Sequence, residues 1–388
     1  MHMNFKKGLA LLACSASLFL AVNLATAADL TYASGLPPSH PTNEAGIVPS
    51  IEKLKPEINM TFTGGGQLFK LSEALKSVGS GVSDLTLVLP AYHASELPHA
   101  AIPFNLLLLT RNELAAAGAT ADTFFNDCPE CLKDYARSNA LSLGNMAIGG
   151  YSLMCREKVN SLDDIKGKRI RVTGSLGRWA EYLGGVPVSM TSADMVESLQ
   201  RGVLDCVMGF TAWYQAFPIA DSIKGIYSYN IGATGAVSLV TVNRESWDNL
   251  TDEEKRKLWK TVPYMISSAM IPGYIKQDIQ ARRKAKEAGV AMVDGASEVT
   301  PLWDGYKQSE IDTVNANAKK LGVENAPAIT SAYLANYAKW LTLIEDAGLS
   351  EMHAGGPLFS DEELEAARKK FEDLLHKEIY DKIDPTSL

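Results

Sequence analysis

Arg171 is the residue whose type and position most directly indicate chemistry. Residues 168–172, Lys-Arg-Ile-Arg-Val, mix charged and β-branched types, which predicts a short strand. Gly174 and Ser175 follow and predict the end of that strand and the cap of a helix. Because ligands bind at the carboxyl ends of strands in open α/β sheets, Arg171 is a candidate seat for a carboxylate or phosphate. The alternative is a solvated strand residue in a surface ion pair.

The cysteines form a second group that could carry chemistry. Cys128 and Cys131 stand in Cys-Pro-Glu-Cys, a spacing also found in thiol–disulfide exchange. A catalytic thiol needs a helix start directly after a buried strand, and the preceding Thr-Phe-Phe-Asn-Asp does not predict one. We therefore interpret the pair as a structural loop or disulfide. Whether Cys155 pairs with Cys206 cannot be read from the sequence.

Other catalytic patterns are sparse. Tyr92 and His93 follow an apolar strand pattern and could transfer a proton, but we interpret them as the polar wall of a cleft. The sequence contains neither a phosphate-binding P-loop nor a Gly-x-Ser-x-Gly elbow. No two histidines have the spacing of metal ligands on one helix. We predict neither enzymatic activity nor a cofactor or metal.

Length and charge set the class of protein. A chain of 388 residues predicts two lobes, because a single core stops growing below that size. The net charge of −8 is unfavourable for binding nucleic acid. Lys6 and Lys7 precede an apolar run at 8–24 and Ala-Thr-Ala at 25–27, which predicts a signal peptide over 1–27 and a periplasmic location. A retained membrane anchor is the alternative.

The order of elements predicts how Arg171 is positioned. Residues 29–90 read as strand, helix, strand, helix, strand, and residues 169–210 repeat that order. Two such α/β units predict two lobes that face each other across a cleft. We expect Pro263 and Pro272 to interrupt a helical stretch, and amphipathic helices from residue 290 onward. The predicted domains are a signal peptide at 1–27, a first lobe at 28–150 with 237–270, and a second lobe at 151–236 with 271–388.

Several runs then carry a resemblance to a known family. They are 162–172, then Leu-Gly-Gly-Val-Pro-Val-Ser-Met at 183–190 and Ser-Leu-Gln-Arg-Gly-Val-Leu-Asp at 198–205. In the first lobe, Gly-Gln-Leu at 66–68 and Gly-Val-Ser-Asp at 81–84 agree. Together they resemble the DctP-like solute-binding proteins of TRAP (tripartite ATP-independent periplasmic) transporters. The resemblance implies an α/β, two-lobed periplasmic-binding-protein fold of the type II-like class, with a hinged cleft and a helical C-terminal region.

The resemblance also implies a binding site. The family arginine that pairs with the substrate carboxylate corresponds to Arg171, and the segment after Asp205 lies near the ligand. That segment, Cys-Val-Met-Gly-Phe, is less polar than usual, and Gly-Tyr-Ser at 150–152 stands where relatives for acidic sugars carry a second arginine. Both departures make the pocket less polar, and the expected ligand is an aromatic, keto or hydrophobic monocarboxylate. The predicted ligand-binding set is Gly66, Tyr92, Tyr151, Arg171, Met208, Gly209, Phe210 and Trp213.

The implied function is capture of an organic acid and its delivery to a TRAP membrane permease. The partners would be a small carboxylate and the permease subunits, with no nucleic acid, and we expect a monomer. One alternative is an exported enzyme or thiol-redox protein that uses His93 or the Cys128–Cys131 pair. Another is a binding protein for a different transporter class or a sensor.

Overall fold

The computed structural model describes residues 27–388, so the predicted signal peptide lies outside the described residues except for Ala27. The strands are β1 Ala28–Ala33, β2 Ile58–Thr63, β3 Leu85–Val88, β4 Ala140–Ile148, β5 Tyr151–Cys155, β6 Arg169–Val172, β7 Val186–Ser189, β8 Cys206–Phe210, β9 Gly225–Ser228, β10 Thr234–Asn243 and β11 Ala291–Asp294. The α-helices are α1 Val48–Leu54, α2 Ala74–Gly79, α3 Ala101–Asn105, α4 Glu113–Asp122, α5 Pro129–Arg137, α6 Leu176–Tyr182, α7 Met195–Gln200, α8 Trp213–Ala216, α9 Arg244–Asp248, α10 Asp252–Ser268, α11 Lys276–Glu287, α12 Ala296–Lys320, α13 Ala326–Asp346 and α14 Asp361–Glu378. Wider π-helical turns cover Thr42–Ile47, Thr123–Asp127 and Ala269–Ile275, and short 3-10 turns cover Leu71–Glu73, Pro90–Tyr92, Leu107–Leu109, Leu162–Ile165, Ala220–Ser222, Tyr380–Lys382 and Pro385–Ser387.

Two mixed sheets form the cores of two lobes. The first sheet has the order β2-β1-β3-β10-β4, and the second has the order β11-β9-β5-β8-β6-β7. In the first, β10 runs antiparallel to both β3 and β4, whereas β1 runs parallel to β2 and β3. In the second, β5 is antiparallel to β8 and β9, whereas β6 is parallel to β7 and β8. The continuous apolar runs of β3 and β8 are buried along their whole length, as expected for strands covered on both faces.

The chain passes between the lobes near the cleft. Strand β4 of the first sheet leads into β5 of the second through Gly149 and Gly150 alone. Gly150 has φ +73°, and a Cβ atom there would lie 2.5 Å from the Cβ atom of Ala354, so glycine is required on both counts. The chain returns through 229–233 into β10, and Ala269–Ile275 begins the path from α10 back towards the second lobe.

Helix starts and interruptions follow local chemistry. Thr251 and Glu254 form a capping box at the start of α10. Pro263 does not interrupt this helix, because α10 continues through it to Ser268. Pro272 lies inside the π-helical turn Ala269–Ile275, where the wider ring accommodates a residue without an N–H group.

The C-terminal region departs from the sequence-based assignment. The sequence places all of 271–388 with the second lobe, whereas α13 packs against α4 and α14 packs against α10, both on the first-lobe side. The expectation of mostly helix from residue 290 onward is confirmed by α12, α13 and α14, but it missed β11, which pairs in parallel with β9 at the edge of the second sheet. Four residues on an edge are too few to show a strand period. In residues 27–388, no helix has the length and apolarity needed to cross a bilayer.

Candidate functional site

A narrow cavity lies between the two sheets, with about 30 Å³ of space for the centres of water-sized molecules. Residues of both lobes line it, with Tyr92 contributed by the first and Arg171, Phe210 and Trp213 by the second. The remaining lining residues are Leu36, His40, Thr42, Leu87, Leu89, Phe104, Met146, Ile148, Tyr151, Thr173, Ser192, Thr234, Val237 and Tyr274. The wall is therefore largely apolar and aromatic, with a few polar groups.

Arg171 lies in β6 with its side chain in this cavity. The residue is only 1% exposed, although the flanking Arg169 on the same strand is exposed. Its Nε atom donates a hydrogen bond to the carbonyl oxygen of Met190 at 3.0 Å, and its Nη2 atom donates to the Tyr92 hydroxyl at 3.2 Å. Its guanidinium carbon also lies 5.2 Å from the centre of the Trp213 ring. These contacts hold the guanidinium in place without neutralising its charge.

The charge of Arg171 has no acidic partner within the described part of the chain. No aspartate or glutamate of residues 27–388 lies within 4.0 Å of its guanidinium. By contrast, Arg169 pairs with Asp205 at 2.7 Å, and the buried Arg368 pairs with Glu365 at 2.7 Å. A buried ion costs several kcal/mol in desolvation unless a partner offsets it. The cavity therefore presents a preformed position for an anion.

The Tyr92 hydroxyl connects the two lobes at this point. Tyr92 belongs to the first lobe and follows β3, whereas its two donors belong to the second lobe. Its oxygen accepts from Arg171 Nη2 at 3.2 Å and from the backbone N–H of Ser192 at 3.3 Å. An anion bound to Arg171 would thus lie beside the hydrogen bonds of the Tyr92 hydroxyl, which can form only when the two lobes are in contact.

Aromatic rings form a continuous wall beside Arg171. Phe210 is the hub, with ring centres of Tyr151, Trp213 and Tyr274 at 4.2, 5.1 and 5.4 Å. The hydroxyl groups of Tyr151 and Thr234 are hydrogen bonded at 2.9 Å. Burial raises the pKa of Tyr151, so the phenol stays protonated at neutral pH. This wall fits an apolar or aromatic body.

A second polar group in the cavity consists of His40, Thr42 and Tyr274. His40 Nε2 and the Tyr274 hydroxyl are 3.2 Å apart. Burial lowers the pKa of His40 to about 3, so its imidazole is neutral near pH 7. Arg171 is consequently the sole charged side chain among the described residues that line the cavity.

The predicted site residues divide into two groups. Tyr92, Tyr151, Arg171, Phe210 and Trp213 line the one cavity. The other three, Gly66, Met208 and Gly209, do not belong to its described lining. A Cβ atom at Gly209 would lie 2.5 Å from the Trp213 ring, so this glycine leaves room for the indole.

Sequence reasoning did not identify His40, Thr42, Ser192 or Tyr274 as cavity residues. His40 and Thr42 lie in the proline-rich loop after β1, which is a signal for a loop near the cleft but not for particular contacts. Tyr274 follows Pro272 in the π-helical turn, a position that no periodicity marks. Their side chains meet only through the packing of distant segments.

The residues of the alternative hypotheses lie outside this cavity. Cys128 and Cys131 form a disulfide at the start of α5, and both are fully buried. The thiol of another molecule therefore cannot reach this disulfide in the folded protein, as thiol exchange would require. His93 is buried, and burial lowers the pKa of its imidazole. Cys155 and Cys206 form a second disulfide that joins directly paired positions of β5 and β8.

A larger cavity, about 390 Å³ by the same measure, is also lined by Tyr151 and reaches the segment 353–355. Its buried acid is paired, since Arg282 Nε donates to Asp278 at 2.7 Å, and the other acid in its lining, Asp294, is exposed. Glu113 lies behind it and accepts a hydrogen bond from the backbone N–H of Ala354 at 2.6 Å. The smaller cavity differs from it in holding a buried charge that has no acidic partner among residues 27–388.

Glu113 gives a prediction on pH. Burial raises its pKa to about 7 from an ordinary value of 4.5. The hydrogen bond from Ala354 lowers the pKa and the nearby carboxylate of Asp278 raises it, but burial is the largest effect. The folded state then binds the proton more tightly, so this group's contribution to stability is complete below pH 4.5 and is lost as the pH rises through 7. The unfolding free energy of Glu113→Gln minus that of wild type should therefore rise by roughly 2–3 kcal/mol between pH 5 and pH 8, because only wild type loses the contribution of the protonated carboxyl.

Urea unfolding of both proteins at pH 5, 6, 7 and 8 checks this difference. Subtracting wild type from the variant removes the contribution of other groups, including His40, whose lowered pKa destabilises the fold as the pH falls below its ordinary value. Parallel stability curves for the two proteins would contradict the raised pKa of Glu113.

The chain is similar to a described family and to solved structures. The model of the bacterial extracellular solute-binding protein family 7 (DctP) matches residues 50–308. A marine-metagenome TRAP solute-binding protein in complex with 3-hydroxybenzoate is 19% identical, with a TM-score of 0.72 over 81% of this chain and 99% of that one. A Rhodoferax ferrireducens protein in complex with benzoate is 15% identical, with a TM-score of 0.70 over 81% and 99%. A Bordetella bronchiseptica protein with bound mandelate is 19% identical, with a TM-score of 0.68 over 80% and 99%.

A relative of uncharacterised function, YiiZ of Salmonella typhimurium, is 27% identical over 217 residues. The match covers 53% of this chain and 62% of that protein's length. The solved structures agree with the two sheets and the cleft between them, so the predicted two-lobed α/β fold is confirmed. The resemblance carried by the sequence motifs is confirmed too, and the family is one of transport proteins rather than of enzymes. On the strength of the family match and this fold, the chain belongs to the bacterial extracellular solute-binding proteins of family 7.

Proposed function

We propose that this protein captures a monocarboxylate in the cavity between its lobes and delivers it to a TRAP membrane permease. The observation that carries the proposal is the buried guanidinium of Arg171, which has no acidic partner among residues 27–388. A ligand carboxylate would supply the missing charge and accept two parallel N–H bonds from the guanidinium fork.

The chemistry of the cavity favours one negative charge on an apolar body. A second carboxylate would be desolvated without a partner, because the other described lining residues are neutral. We infer that Tyr92 and Arg171 hold the carboxylate, and that Tyr151, Phe210 and Trp213 cover the body. Benzoate, 3-hydroxybenzoate and mandelate, bound by proteins of similar fold, have this character.

Ligand binding would also stabilise the closed arrangement of the lobes. The Tyr92 hydroxyl, held between Arg171 and Ser192, ties the first lobe to the second next to the carboxylate position. A ligand shifts an open–closed equilibrium only by its difference in affinity for the two states. Contacts to Arg171 from one lobe and to Tyr92 from the other provide such a difference. We propose hinges at Gly149–Gly150 and 229–233, and docking of the closed form on the permease.

The location of the protein is part of the proposal. The family is extracellular by description, and the N-terminal residues have the pattern of a signal peptide. Two disulfides agree with an oxidising compartment. We therefore propose export to the periplasm, where a soluble receptor can meet both its ligand and a permease.

Thermal unfolding with matched acids and amides tests the proposal. Benzoate, phenylacetate and 2-oxobutyrate would be compared with benzamide, phenylacetamide and 2-oxobutyramide. We expect at least one acid to raise Tm by several degrees, because a ligand at 100 times its Kd adds about 2.7 kcal/mol of stability. The corresponding amide should have no effect, since it cannot neutralise Arg171. Equal shifts by acids and amides, or larger shifts by dicarboxylates such as succinate, would contradict a monocarboxylate site.

A further inference from the structure

Two polar atoms in the cavity wall have no hydrogen-bond partner within 3.5 Å among the described residues. They are the hydroxyl oxygen of Thr42 and the indole Nε1 of Trp213. Thr42 is fully buried, and Trp213 is 5% exposed. Buried polar groups are nearly always paired in folded proteins, and an unpaired one that lines a cavity can pair with a ligand or water there.

Both residues belong to the polar group around Tyr274. The Tyr274 hydroxyl lies 3.2 Å from His40 Nε2, and the backbone N–H of Thr42 donates to His40 Nδ1 at 3.4 Å. Because Nδ1 accepts and the imidazole is neutral, Nε2 carries the proton and donates to the Tyr274 oxygen. The Tyr274 O–H is thus left to donate. Burial raises the pKa of Tyr274, and the side chains of Thr42 and Trp213 lie close enough to oppose that rise.

Trp213 places this group next to the carboxylate position. One part of its ring system faces the guanidinium of Arg171 at 5.2 Å, and its indole N–H is the unpaired donor. The ring of Phe210 contacts both Trp213 and Tyr274, at 5.1 and 5.4 Å between centres. A ligand whose carboxylate binds Arg171 and whose body packs on Phe210 therefore has a polar group within reach.

The available partners define what that ligand group can be. An indole N–H only donates, whereas the hydroxyls of Thr42 and Tyr274 donate and accept. A neutral oxygen, hydroxyl or keto, would accept from Trp213 and pair with Thr42. An ammonium group would lack a counter-ion, because no described lining residue of the cavity is a carboxylate. The chemistry favours hydroxy and oxo acids over amino acids.

We propose that Thr42 and Trp213 form an oxygen-recognition subsite, so that the natural ligand is a hydroxy- or oxo-substituted monocarboxylate. This rests on the proposed function and deepens it, since it assumes that Arg171 binds the carboxylate. A site with unpaired buried hydrogen-bonding groups discriminates strongly against an analogue that lacks the matching group. We expect the oxygenated acid to bind at least tenfold tighter than its parent.

Calorimetric titration with acids that differ by one oxygen tests this. The sets are benzoate with 3-hydroxybenzoate, phenylacetate with mandelate and phenylglyoxylate, and butyrate with 2-hydroxybutyrate and 2-oxobutyrate, with phenylglycine as the amino counterpart. The variants are Thr42→Val, which keeps the shape of the side chain, and Trp213→Phe, which keeps a ring but removes the N–H. Trp213→Phe provides the readout if Thr42→Val fails to fold. In either variant we expect the preference for the oxygenated acid over its parent to fall below threefold. In Thr42→Val the parent acid should bind within about threefold of wild type. Trp213→Phe also alters the ring that covers the ligand body, so this variant is judged on the preference ratio alone.

The outcomes separate the subsite from the proposed function. If wild type binds acids through Arg171 but oxygenated and parent acids bind equally, the subsite is wrong and the proposed function stands. The same holds if the variants weaken both members of a set by one factor, or if phenylglycine binds as well as mandelate. If no acid of the panel binds, or Arg171 variants bind like wild type, the proposed function fails and the subsite fails with it. The hydroxy and oxo members show which oxygen is recognised.

Discussion

Replacing Arg171 with alanine is expected to weaken the binding of a cognate monocarboxylate by about tenfold to a hundredfold, as the loss of a hydrogen-bonded charge pair does. The guanidinium is 1% exposed, and its contacts within the chain are Met190, Tyr92 and the Trp213 ring. None of these offsets its charge, so the free protein does not depend on an ion pair at this position. Alanine should therefore lower affinity without unfolding the protein. Calorimetric titration at fixed ionic strength measures the loss.

Two further variants define what Arg171 contributes. Arg171→Lys retains the charge but loses the planar fork, and should recover only part of the affinity. Arg169→Ala is the matched control, because Arg169 lies two positions away on β6 and pairs with Asp205 at the surface. Its affinity for the acid should equal that of wild type. If Arg171→Ala binds the acid as tightly as Arg169→Ala does, Arg171 does not bind the ligand carboxylate.

Replacing Trp340 with alanine should cost about 3–5 kcal/mol of unfolding free energy, the range for removing a large buried aromatic side chain. Trp340 in α13 is fully buried against α4, and its Nε1 atom donates to Asp122 at 2.7 Å. A Cβ atom at Gly118 would lie 2.1 Å from its ring, so α4 carries a glycine in mid-helix to admit the indole. The C-terminal region is thus part of the first-lobe core. Chemical denaturation measures the loss.

Leu341→Ala is the control for this prediction. Leu341 is the next residue of α13 and is 39% exposed, so its truncation leaves no cavity and should cost well under 1 kcal/mol. Acid binding should persist in the folded fraction of Trp340→Ala, because Trp340 does not belong to the described lining of the ligand cavity. Similar stabilities of the two variants would mean that α13 adds little to the first-lobe core.

Local signals in the sequence predicted most elements near the site. The apolar run before Tyr92 and the repeated pattern around Arg171 follow from side-chain periodicity and from glycines that end strands and helices. The capping box at Thr251 likewise depends on residues only three positions apart. β11 was not foreseen, because its pairing partner β9 lies more than 60 residues earlier in the chain. The continuation of α10 through Pro263 was not foreseen either, since burial by surrounding elements outweighs the local cost of proline.

The sequence by itself determined the two α/β lobes, the export pattern and the choice of Arg171, because each depends on neighbouring residues or on motif resemblance. Only the tertiary structure decided that Arg171 is buried without an acidic partner among residues 27–388 and that Tyr92 reaches it from the other lobe. It also decided that His40, Thr42 and Tyr274 gather beside Trp213, and that α13 belongs to the first lobe. The physical reason is that burial and charge compensation are set by segments far apart in the chain, whose approach no local pattern encodes.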